Sequence, residues 1–513
     1  MPVDRTADNK RIAKNTFFLY IRMFLTMAIS LYTSRVVLRT LGIENYGIYN
    51  IVGGVVSMFA FLNGTISGAT QRFLTFELGL GNKEKLRKVF NTAVGIHAII
   101  SLIILLLSET IGLWFVLNKL VLPADRLIPT VWVYQFSILS SIVFLMSMPY
   151  NACIIAHEKM GAFAYISIID VVLKLAIVFI LQIANVDKLI LYSFLMFLIQ
   201  LFIRFIYNIY CSRHFDESKY KLEWDKKIAS EMSKFATWTM FGGLASVGFT
   251  QGINILLNLF FGPAVNAARA ITVQVDHAIQ AFITNFQTAI NPQIIKNYSS
   301  NNLHQVNYLV LASSKFSYYL LLIISLPIFL EAPTLLNLWL VEIPNHTAIF
   351  LRITILVLLI NSLSNPLITA ANANGNIKNY QIIVGSILLM IVPTAYFFLK
   401  MGCSAEFVFW IYLFFSIIAQ IARLIMTKRM IGLSLILYVK IVLLRIVCVT
   451  LLSIIIPITI YYNFPQTIIR FLLLTVISFL TVSTTIFFIG LEKDERVFLK
   501  KKIKTIKIIH IQK

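Results

Sequence analysis

Between residues 15 and 490 the chain alternates long apolar runs with short polar ones. A bilayer core of about 30 Å takes about 20 helical residues to cross. By that measure the runs predict fourteen spanning helices, near residues 15–38, 47–77, 88–117, 127–155, 161–183, 188–210, 228–260, 266–294, 306–330, 347–371, 378–399, 405–426, 434–461 and 467–490. Several are longer than a perpendicular crossing needs, so tilt or extension into the interface is expected. No stretch is long and polar enough to form a separate soluble domain. The expected fold class is an all-α polytopic membrane protein.

Composition agrees with the pattern. The 513 residues are 58% hydrophobic and only 13% charged, with a mean hydropathy of +0.83. A soluble protein has about a quarter of its residues charged. The first fourteen residues, MPVDRTADNKRIAK, are polar and basic and lack the short apolar core and cleavage site of a secretory signal. They are expected to precede a first helix that stays as an uncleaved anchor. Cys153, Cys211, Cys403 and Cys448 lie far apart with no CxxC, which predicts neither a disulfide framework nor a zinc site.

Basic residues set the orientation. With the N-terminus placed in the cytoplasm, 26 Lys and Arg fall in cytoplasmic segments and 5 in outer loops. That asymmetry is the positive-inside bias, and it predicts both termini in the cytoplasm. The net charge of +22 is mostly this bias, so no nucleic-acid partner is needed to account for it. The tail of residues 491–513 ends in KKKIKTIKIIHIQK. It can lie on anionic lipid headgroups or remain a solvated tail, and both readings stay open.

The chain also repeats itself. At an offset of 220 residues LGIENYGIYNIVGGVV (41–56) falls on FGPAVNAARAITVQVD (261–276), so that Gly42 meets Gly262 and Ile51 meets Ile271. Further on Ala69 meets Ala289 and Asn82 meets Asn302. At an offset of 217, PYNACIIAHEKMGAF (149–163) falls on PLITAANANGNIKNY (366–380), pairing Pro149 with Pro366. Six spans thus align with six spans in the same direction, a repeat about an axis along the membrane normal. The expected organisation is a segment 1–14, a six-helix lobe 15–210, a linker 211–227, a second six-helix lobe 228–426, two further helices in 434–490 and the basic tail 491–513. Two such lobes suit alternating access to a site between them.

Two six-helix lobes plus two helices resemble the multidrug/oligosaccharidyl-lipid/polysaccharide (MOP) exporter superfamily. SRVVLRTLGIENYGIYN (34–50) resembles the first outer loop of bacterial polysaccharide flippases of the Wzx-like, O-antigen branch. SGATQRFLTFELGLGNKEKLRKVF (67–90) resembles their second helix and first cytoplasmic loop. The resemblance implies a flippase for undecaprenyl-diphosphate-linked oligosaccharide in the bacterial cytoplasmic membrane, with a cationic central cavity. It also implies contacts with membrane lipids and polysaccharide assembly proteins.

Signs of enzymatic chemistry are missing from the sequence. The longest outer loop, about residues 331–347, is short, the seven histidines form no ligand-spaced cluster, and no Walker A motif is present. No cofactor is expected. A polytopic polymerase or ligase is disfavoured by the short outer loop.

The interior cations are more informative, because a charge at membrane depth is costly and is kept for a reason. Arg22 and Lys174 are too deep to reach the interface and are expected to face a cavity. Arg35, Arg72 and Arg204 admit either a cavity or a structural role. Arg269 joins this candidate set, yet like Arg39, Arg352, Lys440 and Arg470 it lies near a span end, where snorkelling is expected. A diphosphate offers oxygens that Arg binds bidentately and Lys binds as a point charge. Two acids are candidates for coupling to a proton or sodium ion. Asp276 has no local partner, and Asp170 lies one turn from Lys174, where an ion pair is the plain alternative. Glu77 and Glu109 are weaker candidates. The glycines of helix 2 (Gly53, Gly54, Gly64, Gly68) and helix 7 (Gly242, Gly243, Gly248, Gly252) suit close packing or bending, and packing is preferred. The leading expectation is a lipid-linked oligosaccharide flippase. The alternative is a MATE-type drug/cation antiporter of the same fold, which would call for acids rather than cations at the site.

Overall fold

The computed structural model describes residues 5–118, 124–219, 221, 223–261, 263–340, 343–493 and 495–497. The described elements are helices, in the order the apolar runs predict. They are α1 (Arg5–Leu80), α2 (Lys83–Asn118), α3 (Leu127–Ala156), α4 (Met160–Ile183), α5 (Lys188–His214), α6 (Lys226–Phe261), α7 (Pro263–Ser299) and α8 (Leu303–Leu330). There follow a short α9 (Ala332–Trp339), then α10 (Thr347–Asn374), α11 (Lys378–Lys400), α12 (Ala405–Ile431), α13 (Leu435–Asn463) and α14 (Ile468–Gly490). Twelve helices among the described residues are long and apolar enough to cross a membrane. The expected spans 47–77 and 266–294 are also helical, inside α1 and α7, but are not among those twelve. The chain is a multi-pass membrane protein.

One expected loop is not a loop. Residues 39–46 continue the helix, and the only break inside α1 is Gly42, at φ 79° and ψ 164°. That backbone conformation is essentially reserved for glycine. In the second half α6 ends at Phe261 and α7 begins at Pro263, and position 262, paired with Gly42 in the sequence repeat, lies outside the described residues. A second repeat pair has a shared task. Asn82 Oδ1 accepts from Lys85 N at 3.0 Å and caps α2, and Asn302 Oδ1 accepts from Gln305 N at 3.2 Å and caps α8. Each satisfies one of the orphan amides of a helix start.

The chain forms two compact units. The first holds residues 13–240 and 295–301, and the second 1–12, 241–294 and 302–513. In the first, Val52, Val133, Tyr134 and Leu189 pack into one apolar core. The Ser108–Gly112 segment of α2 there widens into a π-turn, and Tyr134 Oη donates to the Ser108 carbonyl at 2.6 Å. A Cβ on Gly112 would stand 2.1 Å from that hydroxyl, so the close approach requires glycine. In the second unit, Phe249, Leu257, Phe350, Ile391 and Phe409 belong to one core. The glycines of α6 serve packing there. A Cβ on Gly242 would meet Gln381 at 2.0 Å, and one on Gly252 would meet Val392 at 2.5 Å, both residues of α11. The side chains at 53, 54 and 64 lie outside the described residues.

Candidate functional site

The first unit gathers three of the candidate cations around Tyr207. Arg22 of α1 lays its guanidinium over the Phe163 ring of α4, 4.5 Å from the centroid. Arg204 of α5 stacks on Tyr150 of α3 at 4.0 Å. Asn151 Nδ2 donates to Tyr207 Oη at 3.0 Å, and that phenol is within electrostatic reach of both Arg22 and Asp170. Lys174 Nζ donates to Asp170 Oδ2 at 2.7 Å, one turn apart on α4, and both side chains are partly exposed. Lys174 is thus paired with Asp170, Arg22 acts with Asp170 on Tyr207, and Arg204 joins the group through Tyr150, the neighbour of Asn151. Arg204 Nη1 is buried with no hydrogen-bond partner among the described residues.

Planar guanidinium groups suit this placement. Stacking on an aromatic face suits the flat surface of the cation. Arg72 is stacked likewise, buried against Phe73, Phe76 and Phe235 at 4.6, 4.9 and 5.4 Å. Arg72 lies apart from the Tyr207 cluster in its contacts and is coupled to Glu77, Glu231 and Tyr298. Glu77 itself pairs with Lys85 at 2.8 Å, and Glu109 accepts from Gln135 at 3.1 Å. The Arg35 side chain lies outside the described residues.

The second unit holds a separate polar set. Arg269 of α7 is 5% exposed, and its Nε donates to Asn254 Oδ1 of α6 at 2.6 Å. Its guanidinium also lies 5.4 Å from the Phe409 ring. Asp276, two turns along α7, is half-buried with no ion pair or hydrogen bond among the described residues. It is coupled electrostatically to Arg269, His277 and Tyr412. Arg423 of α12 was not singled out by the sequence. It is buried, and its Nη1 donates to Ser364 Oγ at 3.1 Å, while Ser364 donates to Gln420 at 2.8 Å. The available signal was positional: Arg423 sits in the C-terminal half of α12, as Arg204 does in α5.

Of the residues expected to snorkel, Arg39 and Lys440 are exposed, and the expectation fails for the three others. Arg269 is buried as described. Arg352 donates to the Phe329 and Leu330 carbonyls at 3.0 and 3.2 Å, closing the end of α8. Arg470 forms a buried ion pair with Glu331 and donates to the Tyr461 and Phe464 carbonyls at 3.0 and 2.8 Å. The physical reason is common to all three. A helix end for Arg352, a neighbouring acid for Arg470 and a side-chain amide for Arg269 each offer the guanidinium a fixed oxygen inside the protein.

Neither a family model nor a curated protein sequence matches the chain. Solved structures do match in fold. An outward-facing multidrug resistance MATE family transporter of the MOP superfamily superposes with a TM-score of 0.69 at 15% identity, covering 83% of this chain and 96% of that one. The MATE transporter ClbM in complex with Rb+ gives 0.67 at 17% identity over 83% and 96%. A MOP superfamily transporter from Pyrococcus furiosus Vc1, described as having a binding pocket of reverse polarity that suggests a different function, gives 0.66 at 15% identity over 83% and 96%. The chain therefore has the fold of these transporters.

Proposed function

We propose that the protein is a transporter of anionic, phosphate-bearing lipid. In its specific form it is a flippase that moves undecaprenyl-diphosphate-linked oligosaccharide across the bacterial cytoplasmic membrane. One binding site opens alternately to the two sides, and both termini lie in the cytoplasm. The observation that carries the reading is the Tyr207 cluster. It brings Arg22, Arg204 and the Lys174–Asp170 pair together at membrane depth, with a buried Arg204 N–H that has no acceptor among the described residues. A diphosphate supplies such acceptors, and the arginine edge binds it bidentately. The Pyrococcus furiosus transporter shows that this fold is found with a pocket described as reversed in polarity.

Asp276 favours a second component. A carboxylate at membrane depth without an ion pair is a site for a proton or sodium ion, which we assign as the coupling ion. The ClbM complex shows a monovalent cation on the same fold. The same observation supports the competing reading, a drug/cation antiporter. Contacts with polysaccharide assembly proteins belong to the flippase reading alone.

Binding separates the two. A charge-assisted hydrogen bond contributes about 1.5–3 kcal/mol. Removing one should weaken diphosphate binding by about 10- to 100-fold. The test titrates detergent-purified protein with undecaprenyl diphosphate and, separately, with a lipophilic organic cation. Arg204→Ala and Arg22→Ala are expected to weaken the lipid diphosphate in that range, and Arg204→Lys less, because it keeps charge but loses the fork. Unchanged lipid affinity in both alanine variants, or binding of the organic cation alone, overturns the proposal.

A further inference from the structure

Cys153 and Cys211 are 58 residues apart in sequence, and no spacing rule joins them to each other or to a histidine. The fold does. Cys153 lies in the last turn of α3 and His157 caps that helix. Cys211 lies in the last turn of α5, which packs along α3. Glu217 follows in a one-turn helix, Asp216–Ser218, of the connection to α6.

Their ligating atoms converge. His157 Nε2 stands 2.5 Å from Glu217 Oε1, and Cys153 Sγ stands 3.7 Å from the same oxygen. The Cys153, His157 and Glu217 donor atoms all lie within 4.8 Å of one another. The Cys211 thiol donates to the Tyr150 carbonyl at 3.5 Å and lies within electrostatic reach of Cys153. Among the described residues no other group of three His, Cys, Asp or Glu side chains converges in this way.

We propose that Cys153, His157 and Glu217 bind a divalent zinc-class cation and that Cys211, whose thiol lies outside their 4.8 Å group, closes on it as the fourth ligand. Tetrahedral zinc holds two thiolates, an imidazole and a carboxylate with bond lengths of about 2.0–2.3 Å, which sets donor-to-donor spacings of about 3.3–3.8 Å. The Cys153–Glu217 distance already falls in that range. The His157–Glu217 contact is shorter and opens by about 1 Å to admit an ion at such spacings. The imidazole plane is held by Phe215, stacked at 4.0 Å and 14°. A fixed ring orientation is what a histidine ligand requires. The two sulfurs are buried, while the His157 side chain is 23% exposed and gives an ion its route in.

The site has a consequence for the first unit. The connection after α5 docks on α2 through Arg87–Glu223 at 3.1 Å, and Asn91 Oδ1 accepts from Lys221 N at 3.1 Å. A metal at Glu217 pins the start of that connection to the ends of α3 and α5. The site is therefore structural, with all four positions taken by protein.

Cobalt substitution tests it. Full-length protein is purified in detergent under reducing conditions, stripped with chelator and titrated with Co2+, then with Zn2+. The expected result is one equivalent bound, with a thiolate-to-cobalt charge-transfer band and the intense visible bands of tetrahedral cobalt, bleached by Zn2+. Cys403→Ser with Cys448→Ser leaves the spectrum unchanged. His157→Ala and Glu217→Gln weaken Co2+ at least tenfold, and Cys153→Ser with Cys211→Ser removes the charge-transfer band. A wild-type spectrum of octahedral cobalt without thiolate bands overturns the proposal, whatever the variants do. So does a charge-transfer band that survives loss of Cys153 and Cys211 and disappears with Cys403 and Cys448.

Discussion

An arginine near the end of a span has two ways to find water or a substitute for it, and Arg470 shows which one wins here. Its own helix end is close enough for snorkelling. Instead the guanidinium is 9% exposed, ion-paired with Glu331, whose side chain is 1% exposed. It also closes the carbonyls at the end of α13. Removing one member of a buried pair leaves the other charge unpaired, at a cost of about 3–5 kcal/mol. Arg470→Ala is therefore expected to lower the thermal unfolding temperature of the detergent-purified protein markedly, and Arg470→Met with Glu331→Gln to recover part of the loss. Equal stability of Arg470→Ala and wild type would refute the pair's structural role. Depth along the sequence was readable at this scale, and it singled out Arg22 and Lys174. Partners were not. Glu331 lies far from Arg470 in the chain, and nothing in either local sequence points to the other. The pairing of Lys174 with Asp170 was visible only because it is local, one turn along the same helix.

The helices themselves were legible because each apolar run is long enough to fix both its existence and its ends. The predicted spans and the observed helices differ by a few residues at most boundaries. The turn at Gly42 was not legible. Residues 39–46 contain the polar and glycine residues of a loop, yet most of them are compatible with a helix, and a single glycine makes the whole bend. Departures from α periodicity were equally hidden. The π-turn at Ser108–Gly112 changes no residue type, and it stands because Tyr134 reaches the Ser108 carbonyl across Gly112. A methyl at 112 would press on the fully buried Tyr134 hydroxyl. Overpacking of that kind costs about 1–3 kcal/mol. Gly112→Ala is expected to lower the unfolding temperature, and adding Tyr134→Phe to restore part of it by removing the clashing oxygen. Additive losses in the double variant would show that the two residues do not act through this contact.

At the scale of the molecule, the repeat carried more than its few identities suggested. Asn82 and Asn302 cap two corresponding helices. That pair matches because it has a backbone task that few residues perform. Substrate chemistry has no such constraint on sequence spacing. The Tyr207 cluster draws on α1, α3, α4 and α5, so its charge balance emerges only when those helices pack. That balance is the basis for proposing an anionic lipid rather than a cationic drug. The direct test is transport in proteoliposomes. Undecaprenyl-diphosphate-linked oligosaccharide is placed in both leaflets, and its accessibility to an external glycan-modifying enzyme is followed after an imposed proton or sodium gradient. The account predicts that wild-type protein brings the inner pool to the outer leaflet, that Arg204→Ala abolishes or sharply reduces this, and that Asp276→Asn removes the response to the gradient. A pool that stays inaccessible with wild-type protein, in vesicles where the same protein drives gradient-dependent movement of an organic cation, would contradict it.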